Sequence, residues 1–180
     1  QGLGALSQQF LGVNLATLGL AGGIGLVGLA IKKAVDNAAE AEKIMAQTEA
    51  VIKSTGGTAG YTADQIGRMS DRLSKLNAVD DEVIQKGANV LMTFRSIGRD
   101  AFEPTMQAAL DMSTALGTDL QGSILQVGKA LEDPVRGMTA LRRAGVSFSA
   151  EQQAVIKSLV ETGQKAKAQQ LILQELNTEF

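Results

Sequence analysis

The stretch LQGSILQVGKAL, residues 120–131, decides how this chain folds. Leu120, Ile124, Val127, Gly128 and Leu131 follow one another at steps of four, three, one and three residues. A 3.6-residue turn gathers them into one apolar stripe, whereas a period of two would scatter them over both faces of a strand. The spacing therefore predicts a helix that turns one face to a core.

The flanks repeat the same grammar. Downstream, Asp133-Pro134 stops the run and restarts a short helix carrying Val135, Met138 and Leu141, closed by Gly145. Ser149 with Gln152 makes a capping box before Val155, Ile156, Leu159 and Val160, which end at Gly163; a last helix carries Ala168, Leu171, Ile172 and Leu176. Upstream, Thr118 with Gln121 has the same capping pattern, and Pro104 fits the first position of a helix through Leu116 that Gly117 ends. Asp80 is placed to cap a helix with Val83, Ile84, Gly87, Val90, Leu91 and Phe94 at helical spacing. Before the turn at Asn77–Asp80, Thr62 and Gln65 form a capping box for a helix whose apolar points are Ile66, Met69, Leu73 and Leu76. No segment alternates with period two. The expected fold is all-α: an apolar glycine-rich N-terminal helix followed by a bundle of about six to seven short helices joined by short connections.

The leader differs from everything after it. Gln1 to Ile31 carries no charged residue, and Leu15 to Ile31 (LATLGLAGGIGLVGLAI) is apolar apart from Thr17. As a helix that run would span roughly 25 Å, and extended back to Phe10 about 33 Å, near the thickness of a bilayer core. Its glycines would each cost a water-exposed helix about 1 kcal/mol relative to alanine, so it needs cover. Small residues one turn apart, as in Gly19-x-x-x-Gly23 and Ala21-x-x-x-Gly25, let helix backbones approach closely, in lipid or in an oligomer. Leu15, Gly19, Gly23, Gly25, Gly28 and Ile31 are thus the candidate packing or membrane-inserting residues. Lys32-Lys33 follows the apolar run instead of preceding it, against the order of a secretory signal. From Lys32 the helix turns amphipathic and is expected to run to Ser54, where TGGTAGYT (residues 55–62) breaks it. Two parts are expected, a leader over 1–54 and a compact helical domain over 55–180. Because the first residue is Gln1, the chain reads as a piece of a longer protein.

Composition removes most chemistry. With no cysteine and no histidine there are no thiolate nucleophiles, imidazole bases, disulfides or ordinary zinc ligands. A net charge of -2 supplies no global field for nucleic acid, and without tryptophan and with Tyr61 the lone tyrosine, base-stacking platforms are scarce. Gly23–Gly28 (GIGLVG) matches a dinucleotide fingerprint by letter, yet no valine- and isoleucine-rich strand precedes it. GSILQVGK (residues 122–129) approaches a phosphate loop, but its spacing is one residue too long and Ala130 stands where a magnesium-holding hydroxyl belongs. Asp80-Asp81-Glu82, Asp100 and Glu103 read as helix-start carboxylates, and Arg142-Arg143 suits a helix C-terminus. No catalytic residue, cofactor or metal site is expected.

Several ordered blocks carry a likeness. ALGTDL (115–120), VGKALEDPVRGMTALRRAGVSFSAEQ (127–152), IKSLVETG (156–163) and AQQLILQELNTEF (168–180) resemble the tail tape-measure proteins of long-tailed bacteriophages and prophages. The upstream apolar run and TGGTAGYTADQI (55–66) resemble the same family. Leu131, Asp133, Pro134, Leu141, Gly145 and Val146 are the motif residues with a structural role in view.

The resemblance implies a structural virion protein of the tail lumen, around which tube subunits polymerise until its length is matched. It also implies self-association, often as three copies, contacts with tube and tail-tip or baseplate proteins, no specific nucleic-acid binding, and release from the tail before DNA entry. The uncharged leader adds an expectation of entry into the host inner membrane, or residence in the periplasm, after ejection. The rival reading is a membrane-active helical protein, such as a pore-forming toxin or secreted effector, built on the same leader.

Overall fold

The computed structural model describes residues 23–180, and their side chains from Lys32 onward. The chain divides into two units, residues 1–42 and 43–180. Among the described residues every regular element is an α-helix: α1 Gly23–Ser54, α2 Ala63–Asn77, α3 Asp81–Leu91, α4 Arg99–Leu116, α5 Leu120–Glu132, α6 Pro134–Arg142, α7 Ala150–Glu161 and α8 Lys165–Glu179.

In the first unit, α1 exposes every side chain from Lys32 to Glu42. In the second, α4 is the central helix and packs on α2, α3, α5 and α8. The α2–α3 hairpin lies against α4 and α5, α6 folds back on α5, and the α7–α8 hairpin returns so that α8 reaches both α4 and α6. One contiguous core results, in which Phe102, Met106 and Leu110 of α4 join Ile124, Val127 and Leu131 of α5 and Ile172 and Leu176 of α8. The stripe of residues 120–131 is buried throughout, as its period predicts.

Helix ends follow local chemistry, with informative departures from expectation. Thr62 and Ser149 form complete capping boxes with Gln65 and Gln152. The cap of α5 is Asp119 and not Thr118: its carboxylate accepts from the Gly122 amide at 2.7 Å, while the Thr118 hydroxyl pairs with Ser123 at 3.1 Å. A carboxylate beside free amides gains from the helix dipole as well as the hydrogen bond, so it wins the position. Replacing Asp119 by alanine should therefore lower stability by about 1 kcal/mol. Thr118→Ala should change it by only a few tenths of that, a contrast that urea unfolding of the two variants reads directly.

Pro104 does not open α4. Gly98 is the N-cap and Pro104 lies inside the helix. Its missing amide leaves only the Asp100 carbonyl without its i+4 donor, and Asp100 is at the exposed first turn where water replaces the bond. Asp80 stands at the N-cap of α3 but its side chain makes no cap hydrogen bond. Leu76 and Val155, expected on buried stripes, are 74% and 48% exposed. Leu76 is in the last turn of α2, where it borders surface depressions between α2 and α4, and α7 fully buries Ile156 alone.

Glu151, in the first turn of α7, accepts hydrogen bonds from its own backbone amide and from Ser149, which hold its carboxyl below the usual range. The ionised form is the one favoured by folding. Its contribution is thus complete above the unfolded-state value and fades as pH falls through the lower folded value. An NMR titration should place the Glu151 midpoint below that of a model glutamate.

Candidate functional site

The motif residues bracket α6: Leu131, Asp133 and Pro134 stand where α5 ends and α6 begins, and Leu141, Gly145 and Val146 where α6 ends. Leu131 is buried in the core and Asp133 serves both helices, as the C-cap of α5 and the N-cap of α6, its Oδ1 accepting from the Arg136 amide at 3.2 Å. Pro134 occupies the first turn, where an amide would lack a partner and its ring presets φ. Gly137 faces α5 so closely that an added Cβ would fall onto the backbone of Ala130, 2.7 Å from its carbonyl carbon. Leu141 is fully buried and its carbonyl accepts from both Ala144 and Val146. Gly145 turns with φ +101°, a left-handed conformation that side chains resist, and returns Val146 to the core at 1% exposure.

A buried amide fixes this corner to the rest of the fold. Gln169 of α8, 2% exposed, donates from Nε2 to the carbonyls of Leu131 at 3.0 Å and Ser96 at 3.1 Å. Ser96 in turn donates from its hydroxyl to Glu132 at 2.7 Å, and Lys165 lies 3.8 Å from the same carboxylate. Leu131 is in the last turn of α5, where carbonyls have no partner within the helix, so Gln169 supplies the missing donor. The sequence signal for this was available: Gln169 sits in register with Ile172 and Leu176, a polar residue on an apolar stripe.

Elsewhere the chemical motifs resolve into structure. GSILQVGK lies in α5, with the Gly122 amide given to Asp119 and the following amides inside the helix. GIGLVG forms the first turns of α1, with no strand among the described residues. The carboxylates of Asp80, Asp81 and Glu82 lie within 4.8 Å of one another at the start of α3. Glu103 forms a 2.6 Å ion pair with Arg72 of α2 instead of serving its own helix end. A surface depression of about 580 Å³ borders that pair and includes Tyr61, Arg99, Asp100 and Pro104. Within it Arg99 lies 4.6 Å over the Tyr61 ring and donates to the Gly60 carbonyl. Burial and the nearby Glu103 raise the Tyr61 hydroxyl above its ordinary value of 10.0, so it stays protonated at neutral pH and offers no base.

The expected membrane span, Leu15–Ile31, begins outside the described residues. Leu15 and Gly19 lie outside the described residues. Gly23, Gly25, Gly28 and Ile31 lie in α1. Among the described residues no helix is long and apolar enough to cross a membrane.

No curated protein and no solved structure matches the chain. A family model described as "Prophage tail length tape measure protein" matches residues 2–157, a span that takes in the leader, the α2–α3 hairpin, the Leu131–Val146 corner and most of α7. With residues 2–157 matched and every regular element among the described residues a helix, the chain belongs to the prophage tail length tape measure protein family.

Proposed function

We propose that this chain acts in the lumen of the phage tail tube as part of the template around which tube subunits polymerise, and that it leaves the tail as the genome is delivered. The observation that carries the reading is the family match over residues 2–157. Physical chemistry supports it. A helix converts residue number into length at about 1.5 Å per residue, which makes a helical chain a usable ruler. α1 provides an uninterrupted 32-residue helix, while the many capped, short helices of residues 55–180 suit a compact anchoring body.

In this reading Gly19, Gly23, Gly25 and Gly28 allow close helix approach in a self-associated bundle of a few copies, three being the simplest closed ring beyond a dimer. Leu131, Asp133, Pro134, Leu141, Gly145 and Val146 act structurally, holding the α5–α6 corner. Tube subunits and tail-tip proteins are the partners. Deleting helical turns from the encoding gene should shorten tails seen by electron microscopy by about 1.5 Å per residue removed. Tails of unchanged length would sink the template role, and purified chain that releases dye from liposomes unaided would favour a membrane-active protein instead.

A further inference from the structure

We propose that α1 meets further copies of this chain, parallel and in register, through a heptad seam that occupies one face of residues 23–42. The inference rests on the self-association in the template reading and adds to it the seam, its direction and its register.

The covered end of α1 sets the phase. In the second unit Ile44, Met45, Thr48, Val51 and Ile52 of this helix are buried or half-buried, while Ala46, Gln47, Glu49, Ala50 and Lys53 are exposed. With Met45 at position a of a seven-residue repeat, the covered residues fall at g, a, d, g and a, one face of the helix. Counting back from Met45 in steps of four and three reaches Ala41, Ala38, Ala34, Ile31, Val27 and Ile24, all at a or d. In the sequence the same phase continues through Leu20, Thr17, Val13, Phe10, Leu6 and Leu3. In the first unit every side chain from Lys32 to Glu42 is exposed, and Val35, beside the seam at e, is 61% exposed. Bare helix gains little stability from propensity alone, and an apolar seven-residue repeat held through several heptads is the pattern of helices that supercoil together.

The charges point to the same chain as the occupant. From Lys32 to Lys53 every charged residue lies at b, c, e or f, and none at a, d or g. Parallel copies in register set a against a and d against d, so a charge there would confront its own like. A partner of different sequence could answer such a charge with its opposite, and imposes no such exclusion. Parallel packing sets e against g of the neighbouring copy, so Glu42 meets Asn37 and no like charges face each other. Antiparallel packing would set e against e, where the charges are Glu42 and Glu49, both negative. Alanine at 34, 38 and 41 lets the helices approach closely.

The chain contains no cysteine, so single introduced cysteines report the packing directly. Ala34→Cys and Ala41→Cys, each made in the whole chain and mildly oxidised, should both give disulfide-linked dimers on non-reducing gels, because each residue faces its own copy across a parallel seam. Asp36→Cys and Ala39→Cys, at f and b on the outer face, should link at least about tenfold more slowly. All four sites are exposed, so the circular dichroism of each reduced variant should match that of the unsubstituted chain. Linking at only one of the two seam positions would mean antiparallel copies, and equal rates at all four would mean chance collision. Either result overturns the proposal, as does the absence of any linked species. Tail length is not read here, so a failed seam beside tails that still shorten on deletion separates this inference from the template role.

Discussion

Gly137→Ala should destabilise the bundle by about 2 kcal/mol or more, against the usual sense of a glycine replacement within a helix. At an exposed helical site the same change stabilises by about 1 kcal/mol through helix propensity. Here the added carbon would occupy the space of the Ala130 main chain, which cannot rotate aside as a side chain can. α6 must therefore shift off α5, loosening Leu141 and Met138 from the core. Gly128 provides the internal comparison. Its Cβ would come within 2.6–2.9 Å of the Phe94 ring, a half-buried side chain at the edge of the core that can swing away. Urea midpoints should fall further for Gly137→Ala than for Gly128→Ala, and the reverse order would mean that the α5–α6 contact is looser than described.

Gln169→Leu should cost a similar amount, about 2 kcal/mol. The replacement fits the volume and gains about 1 kcal/mol of apolar transfer. It also strands two carbonyls, Leu131 and Ser96, each worth about 1–3 kcal/mol when buried without a donor, so the polar loss wins. Gln169→Glu should be worse, since it removes the donor and brings a charge into a site 2% exposed. Denaturant unfolding checks both, and a neutral Gln169→Leu would show that water already serves those carbonyls.

How much of this was legible in the sequence depends on the range of the interaction involved. Capping boxes at Thr62 and Ser149 and the Asp133-Pro134 junction are contacts within four residues, and the residue types alone fix them. The apolar stripe of α5 was equally plain because its period is set by one helix. Thr118 and Asp119 can both cap by residue type, and only backbone conformation decides that Asp119 does. Pro104 misled for a related reason: a proline is tolerated in the helix when the carbonyl it orphans faces water, which depends on exposure and not on spacing. Leu76 reads as core by its period, yet it is 74% exposed, because how closely a neighbouring helix approaches the end of a stripe is not carried by the period. The corner at Leu131–Val146 was found by resemblance, but the Gln169 bridge to Ser96 spans 73 residues and needed the tertiary structure.

The proposed template role requires this chain to lie inside the tail. Intact particles treated with protease, stripped of the protease and then disassembled would locate it by quantitative mass spectrometry of head, tail and tip fractions. A protected chain in the tail fraction, at a few copies per particle, is the expected result. A chain digested in intact particles, confined to the head, or missing from the virion would contradict it.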